Sequence, residues 1–374
     1  MTKVEDIFFS LLRAALWETD VQIPEGFAQW GRIIHLARTQ ALSGLIGDVL
    51  LSDEEVRNSL PVKFVEGLQD IPKVNIGMHV KMNRALQLLV MTLNQNGIKS
   101  VLLKGQGLAQ YYPVPELRQC GDIDIYVGEE NYEKAYDAIR PIVSEIDDKD
   151  RIWRFMHFHA KVGSVVIEVH HKADVMYSRK KEKIYREFML KGLTEDLTPI
   201  KFGEVQVMTP NDTYNAFYVF YHLWRHFSTS GVGLRQFCDW TCFLHTHVGK
   251  LDLPYLRTML EKLGFMRPWQ VFGCFLVKDM GLPEEEFPFY NEKYAGKVDR
   301  VREYVMTDGN FGMNVAAGRE KKRSYLHGKW VSLKYHILRF FRMFAIFPKH
   351  TMLRLYYMLR DGIAQVWKDL RIKV

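Results

Sequence analysis

Between Lys3 and Gly97, apolar residues recur every three or four positions, from "VEDIFFSLLRAALW" to "VNIGMHVKMNRALQLLVMTLNQNG". That period predicts helices almost throughout, the last of them closing on the cap-and-turn pair Asn96-Gly97. At Ile98 the period changes. "IKSVLLK" reads as a short strand, Gly105 to Tyr112 has room for one or two helical turns, and Pro113 and Pro115 stop them. "DIDIYV" follows as a strand and "EENYEKAYDAIRPIV" as a helix. "WRFMHFHAKV" and "SVVIEVHH" are alternating strands around a tight turn at Gly163-Ser164. Charged helical sequence covers 179–192 and "GEVQVMTP" is the last strand. From the Asx-type cap of "NDTYNAFYVFYHLWRHF" onward the spacing is helical to the end. Strands grouped between helical blocks predict an α+β protein with a small mixed β-sheet, not a doubly wound one. Four regions follow: helical 1–97, an α/β core at 98–209, helical 210–318 and a basic amphipathic helical tail at 319–374.

Composition narrows the class. At 374 residues and 47% hydrophobic, the chain buries a large core and is not disordered. The four cysteines form no CxxC pair, and Cys238 and Cys242 lie one turn apart in an aromatic segment, which reads as reduced core thiols of a cytoplasmic protein. Glu5 and Asp6 precede helically spaced apolar positions, so the N-terminus reads as an amphipathic helix instead of a signal peptide. No apolar run reaches the roughly 18 residues of a spanning helix. The formal charge of +7 is uneven: fourteen Lys and Arg against three acidic residues from 319 to 374 give that tail +11 and leave the remainder at −4. A packed helix with a solvated basic face, an anionic membrane surface on the inner face, and a polyanion such as nucleic acid are the partners that pattern allows.

The carboxylates carry the chemistry. In a strand, Asp122 and Asp124 share one face and Ile123 and Ile125 the other. Carboxylates so close repel one another unless a cation neutralises them, and hard oxygen donors point to Mg²⁺ or Mn²⁺. A solvated strand end, with Arg118 as salt-bridge partner, is the plain alternative. Before the pair, a strand runs into "KGQG", where Lys104, Gly105, Gln106 and Gly107 make a turn suited to phosphate, with Arg118 nearby. In the hairpin, a Gly163-Ser164 turn pairs His159 with Glu168 and His157 with His170 on one face. Glu168 then joins the aspartates, with His159 or His170 near the reacting hydroxyl; zinc held by the histidines and a solvent-facing hairpin are the competing readings.

These residues resemble a known family. "LLKGQGLAQYYPVPELRQCGDIDIYV" and "VVIEVHH" are similar to the nucleotidyltransferase fold of the DNA polymerase β superfamily, and more closely to a bacterial family of poorly characterised nucleotidyltransferases with the pattern Lys-Gly, Gly-Asp-Ile-Asp, Ile-Glu-x-His. "FYHLWRHFSTSGVGLRQFCDW" extends the resemblance to His222, Arg225, His226, Arg235 and Asp239 as a facing cleft wall. The resemblance implies Gly105 in a phosphate turn, Asp122, Asp124 and Glu168 as metal ligands, and an NTP, ATP in the first instance, as co-substrate with an unknown acceptor. Gln106 stands where the broader superfamily has a second Gly or Ser. Metal-dependent nucleotidyl transfer to a small molecule, sugar, peptide or protein is therefore weighed against an RNA nucleotidyltransferase using the tail, and against a non-catalytic nucleotide-binding or partner-docking module.

Overall fold

The computed structural model describes residues 2–310 and 325–371. The parts of the expected tail at 319–324 and 372–374 lie outside them. Local chemistry sets the helix starts. Thr2 Oγ1 accepts from Glu5 N while the Glu5 carboxylate accepts from Thr2 N, a reciprocal cap that opens α1 (Lys3–Trp17). Helices α2 (Trp30–Thr39), α3 (Ser43–Ser52), α4 (Glu54–Ser59) and α5 (Val62–Leu68) follow, and α6 (Asp70–Gln95) ends in a turn where Ile98 N reaches Leu93 O at 2.9 Å.

The sheet has seven strands: β1 (Val101–Leu102), β2 (Asp122–Tyr126), β3 (Glu145–Ile146), β4 (His157–Val162), β5 (Val165–His170), β6 (Thr198–Phe202) and β7 (Val205–Thr209). Their order is β3-β4-β5-β2-β1-β7-β6, with β2 parallel to β5, β1 parallel to β7 and the other pairs antiparallel. The class is mixed α and β, as the grouping of periods predicts. Two strands escape the sequence pattern. β3 has only two residues, and β6 carries Pro199, which an edge strand tolerates because its missing N–H is not needed by a second neighbour. The β4–β5 hairpin has the predicted register, His157 opposite His170 and His159 opposite Glu168.

One face of the sheet is apolar. Ile123, Ile125, Ile167 and Val169 are fully buried in one cluster with Leu86 and Leu89 of α6 and Tyr132 and Ile139 of α8 (Tyr132–Ile139). The other face looks toward the C-terminal helices, whose aromatic core runs through α9 (Arg179–Thr194), α10 (Asp212–Ser228), α11 (Leu234–Thr246), α12 (Leu253–Leu263), α13 (Met266–Met280) and α14 (Val298–Asp308). The short α7 (Gln106–Ala109) links β1 to this block. The last two helices, Tyr325–Ile346 and Pro348–Arg371, also pack there: Met343, Ile346 and Phe347 are buried, and Arg339 bonds to Tyr304 Oη and Phe227 O. Among the described residues no helix is long and apolar enough to cross a membrane.

A buried ion pair joins the sheet region to α11. Arg118 donates Nε to Asp239 Oδ1 at 2.6 Å and Nη2 to Oδ2 at 2.7 Å, and Tyr112 Oη donates to the same Oδ1 at 2.7 Å. Both charges are almost wholly buried, so removing one strands the other in a poorly solvated interior. Asp239→Leu is expected to cost about 3–5 kcal/mol by urea denaturation, with part of the loss restored by adding Arg118→Met. A double variant as unstable as the single one would show that stranded charge is not the cause.

Candidate active site

Parallel pairing of β2 with β5 sets Asp122 beside Val166 and Asp124 beside Glu168. The three acidic side chains therefore meet on the polar face of the sheet, each offering an oxygen within 4.8 Å of the others. Asp124 is fully buried; Asp122 and Glu168 are half-buried. Asp124 Oδ1 lies 3.1 Å from Lys104 Nζ and 3.1 Å from His170 Nε2. Its other oxygen, Oδ2, is buried with no hydrogen-bond partner. A buried carboxylate oxygen left unpaired is costly, and the three carboxylates that meet here form a donor set that fits a hard divalent cation.

Electrostatics mark the same crowding. The charge of Asp124 is the main reason that the Asp122 carboxyl titrates above its ordinary value, and burial adds to it. Burial also works against ionised Asp124, but Lys104 and His170 outweigh it and hold this carboxyl below the usual range. Burial opposes the Lys104 ammonium too, and Asp124, Asp122 and Glu168 together keep its pKa raised. A like-charge cluster of this kind gains from an added cation.

Imidazoles edge Glu168. His170 Nε2 is 3.4 Å from Oε2, His157 Nδ1 is 3.6 Å from the same oxygen, and His159 Nε2 is 3.6 Å from Oε1. Burial disfavours charge on His170, but hydrogen bonds to Asp124 and Glu168 raise its pKa regardless. Burial and the neighbouring His170 push His157 down to about 4. His159 is held on its far side by Asp147, at 3.0 Å from Nδ1. His157, Glu168 and His170 form a second group whose ligand atoms lie within 4.8 Å.

The turn residues divide. Gly105 has φ +64°, and a β-carbon there would come 3.1 Å from Asp122 O, so this position needs glycine to bring the turn against β2. Gly107 serves packing, its Cα side facing Leu102 and Thr209. With four residues, α7 has too little length for a useful dipole. Gln106 faces inward, its amide donating to Asn83 Oδ1 at 2.7 Å, so of this residue only the backbone remains for the expected phosphate turn. Arg118, expected beside phosphate, is engaged by Asp239, and those two expected site residues pair with each other. Sequence spacing could not show this, because 121 residues separate them.

Beside Asp122, the one site carboxylate that lines it, is a cavity of about 240 Å³, whose wall also includes Lys104, Gly105, His222, Arg235, Gln236 and Asn310. Arg235 donates Nη1 to Gln119 O at 2.8 Å, while its Nε is buried without a hydrogen bond. Arg225 turns elsewhere, to buried Asp174 at 3.1 Å. Gln236, Asn310 and Asp174 were not among the residues singled out in the sequence. Only Gln236, on the helical face shared by Arg235 and Asp239, carries a signal that could have found it. Gln236 Nε2 donates to Asn310 Oδ1 at 3.0 Å, which ties the cavity wall to the end of α14.

Residues 27–278 match the family described as uncharacterised nucleotidyltransferases. The chain belongs to this family. The matched segment holds both acidic strands of the nucleotidyltransferase sheet and the two helices α10 and α11 that face them. No curated protein matches the chain. Among solved structures, the chain is similar to an antigenic nucleotidyltransferase-like protein from Paracoccidioides brasiliensis, with 13% identity, a TM-score of 0.34, and coverage of 57% of this chain and 95% of that one.

His222, on the cavity wall of this nucleotidyltransferase, meets His226 edge to face, 4.5 Å between ring centroids. Burial, then Lys104, lowers His222; burial, then Arg225 and Lys104, lowers His226 to about 3. Both are neutral at pH 7, so the positive charge lining the cavity comes from Lys104, Arg235 and the Asp239-paired Arg118. Below a pH of about 6.5 the unfolded chain takes up a proton that folded His226 refuses, so stability falls as pH drops from there toward 3, by up to about 1.4 kcal/mol per unit. His226→Asn keeps a donor near Ser230 and removes the titration. Its urea midpoint is expected to fall less steeply between pH 7 and 4 than that of the wild type; parallel profiles would refute the assignment.

Proposed function

We propose that this nucleotidyltransferase moves a nucleoside monophosphate from an NTP, ATP in the first instance, to a hydroxyl of a small-molecule, sugar, peptide or protein acceptor. The observation that carries this reading is the meeting of Asp122, Asp124 and Glu168, with Asp124 Oδ2 buried and unpaired, directly beside the Gly105 turn. Mg²⁺ or Mn²⁺ held by these carboxylates would supply charge stabilisation to the entering and leaving oxygens. Lys104 and Arg235 meet the phosphate charge from the cavity side, and the glycine at 105 lets phosphate approach the backbone. Glu168 accepts the proton of the acceptor hydroxyl. The acceptor oxygen then bonds to the α-phosphorus as the bond from that phosphorus to the departing pyrophosphate breaks. His170 holds Glu168 in place from its other edge.

Gln106, the departure from the broader superfamily pattern, buries its amide against α6 and leaves the cavity side to Gly105, which weighs against the non-catalytic alternative. The test is pyrophosphate release from each NTP with Mg²⁺ or Mn²⁺ and a fractionated metabolite and protein extract as acceptor source. Asp124→Asn, Asp122→Asn and Glu168→Gln are each expected to lower the rate by at least ~100-fold, the scale on which one preorganised electrostatic contact acts. Mn²⁺ binding, followed by electron paramagnetic resonance, is expected to weaken in parallel. Wild-type rates and Mn²⁺ binding in Asp124→Asn would end the proposal.

A further inference from the structure

Among the described residues, the last two helices are held from one side. Met343, Ile346 and Phe347 enter the helical core, whereas Ile337, Phe341 and Phe344, at positions i, i+4 and i+7, are 46%, 62% and 40% exposed. The second helix repeats the spacing with Met352, Tyr356 and Leu359 at 50%, 60% and 57%. Two adjacent helices that each turn an apolar stripe to the outside depart from the normal polar exterior of a packed helix. Between them runs a groove of about 620 Å³, lined by Ile337, Phe341, Leu355 and Met358, with Arg354 at its wall. Arg354 and Met343 also line an adjoining cleft with Lys181, His350 and Tyr357, to which no acidic side chain contributes.

Charge chooses among occupants. Residues 334–360 contain six Lys and Arg and no Asp or Glu. Lys334 and Lys349 are exposed, and Arg354 makes no ion pair among the described residues. Nucleic acid would use the cations and the rings, but the aliphatic part of the stripe, Ile337, Leu338, Met352, Met358 and Leu359, has nothing to offer a base or a phosphate. A surface with an apolar interior beneath a negatively charged layer matches both halves. We propose that this helical pair docks on an anionic phospholipid surface, with Phe341, Met358 and their neighbours in the acyl layer and Arg354, Lys334 and Lys349 at the level of the phosphates. The inference is independent of the chemistry on β2 and β5.

Full-length protein is sedimented with phosphatidylcholine vesicles with and without about a third phosphatidylglycerol. The wild type is expected to pellet at least ~10-fold more strongly with the anionic vesicles, and to lose that binding as salt rises from about 0.1 to 0.5 M. Phe341→Asp with Met358→Asp is expected to reduce binding by ~10-fold or more, with an unchanged circular dichroism melt, because it places charge in the acyl layer. Arg354→Gln is expected to weaken binding less and to flatten its salt dependence. Wild-type protein that stays in the supernatant, or a double Asp variant that pellets as the wild type does, overturns the proposal. So does excess glycerol phosphate that strips the protein from vesicles, which would mark a site for a free anion, and so does a dimer in solution that the double variant disperses. Binding of an RNA oligomer that survives the double Asp variant, in place of vesicle binding, overturns it in favour of a polyanion face.

Discussion

The register of β2 against β5 is the constraint on which the site depends. It sets Asp124 beside Glu168 and, through the strand's alternation, Asp122 on the same face; a slip of one residue would turn the carboxylates into the apolar layer. The carboxylates do not choose this register, since they repel, as the raised Asp122 carboxyl shows. The opposite face chooses it. Ile123, Ile125, Ile167 and Val169 are fully buried against α6 and α8, and burying side chains of this kind yields about 1.5–3 kcal/mol each as an upper estimate. Against that, one unit of carboxyl shift corresponds to about 1.4 kcal/mol. Packing on one side of the sheet therefore holds together a charged cluster on the other that would not assemble by itself.

Two cations near this cluster, Arg118 buried and Lys104 part-exposed, do different work. Arg118, with a planar fork, satisfies both oxygens of Asp239 and is spent on joining the sheet region to α11. Lys104 is a point charge on a flexible stem, shared among three carboxylates and open to the cavity. An ammonium in that position can shift between carboxylate and phosphate without breaking a bidentate geometry, whereas the guanidinium of Arg118 cannot. The distinction follows from the partner each side chain finds, not from its place in the chain: both precede β2 and both looked equally suited to phosphate.

What the sequence made legible was local. The change of period at Ile98 marked the start of the sheet. The two-residue alternation put Asp122 and Asp124 on one face, and the Gly163-Ser164 turn placed Glu168 opposite His159. The failures are long-range or weakly patterned. Parallel pairing between β2 and β5 has no turn to announce it, and Arg118 finds Asp239, as Asp174 finds Arg225, only through the fold. The two-residue β3 and the proline-bearing β6 lack the length or the propensity that would set them apart. Gln106 looked like a defect in a phosphate turn because its backbone position was legible and its side-chain direction was not.

The two edges of Glu168 also differ in a way that bears on the acceptor. Toward Lys104 and Asp122 lies the cavity, about 240 Å³, below the range of roughly 300–1,000 Å³ that encloses most of a drug-sized ligand. Toward β4 lies His159, which is 49% exposed. A nucleotide that fills the cavity leaves no room there for an acceptor as well. If phosphates occupy the side of Lys104 and Arg235, the acceptor hydroxyl must reach Glu168 across the rim of His157 and His159. At His159 that rim is open to solvent, so on this reading it would admit a hydroxyl on a large acceptor as readily as one on a small molecule. On the proposed reading, the narrow cavity would limit the nucleotide and leave the size of the acceptor to the surface around β4.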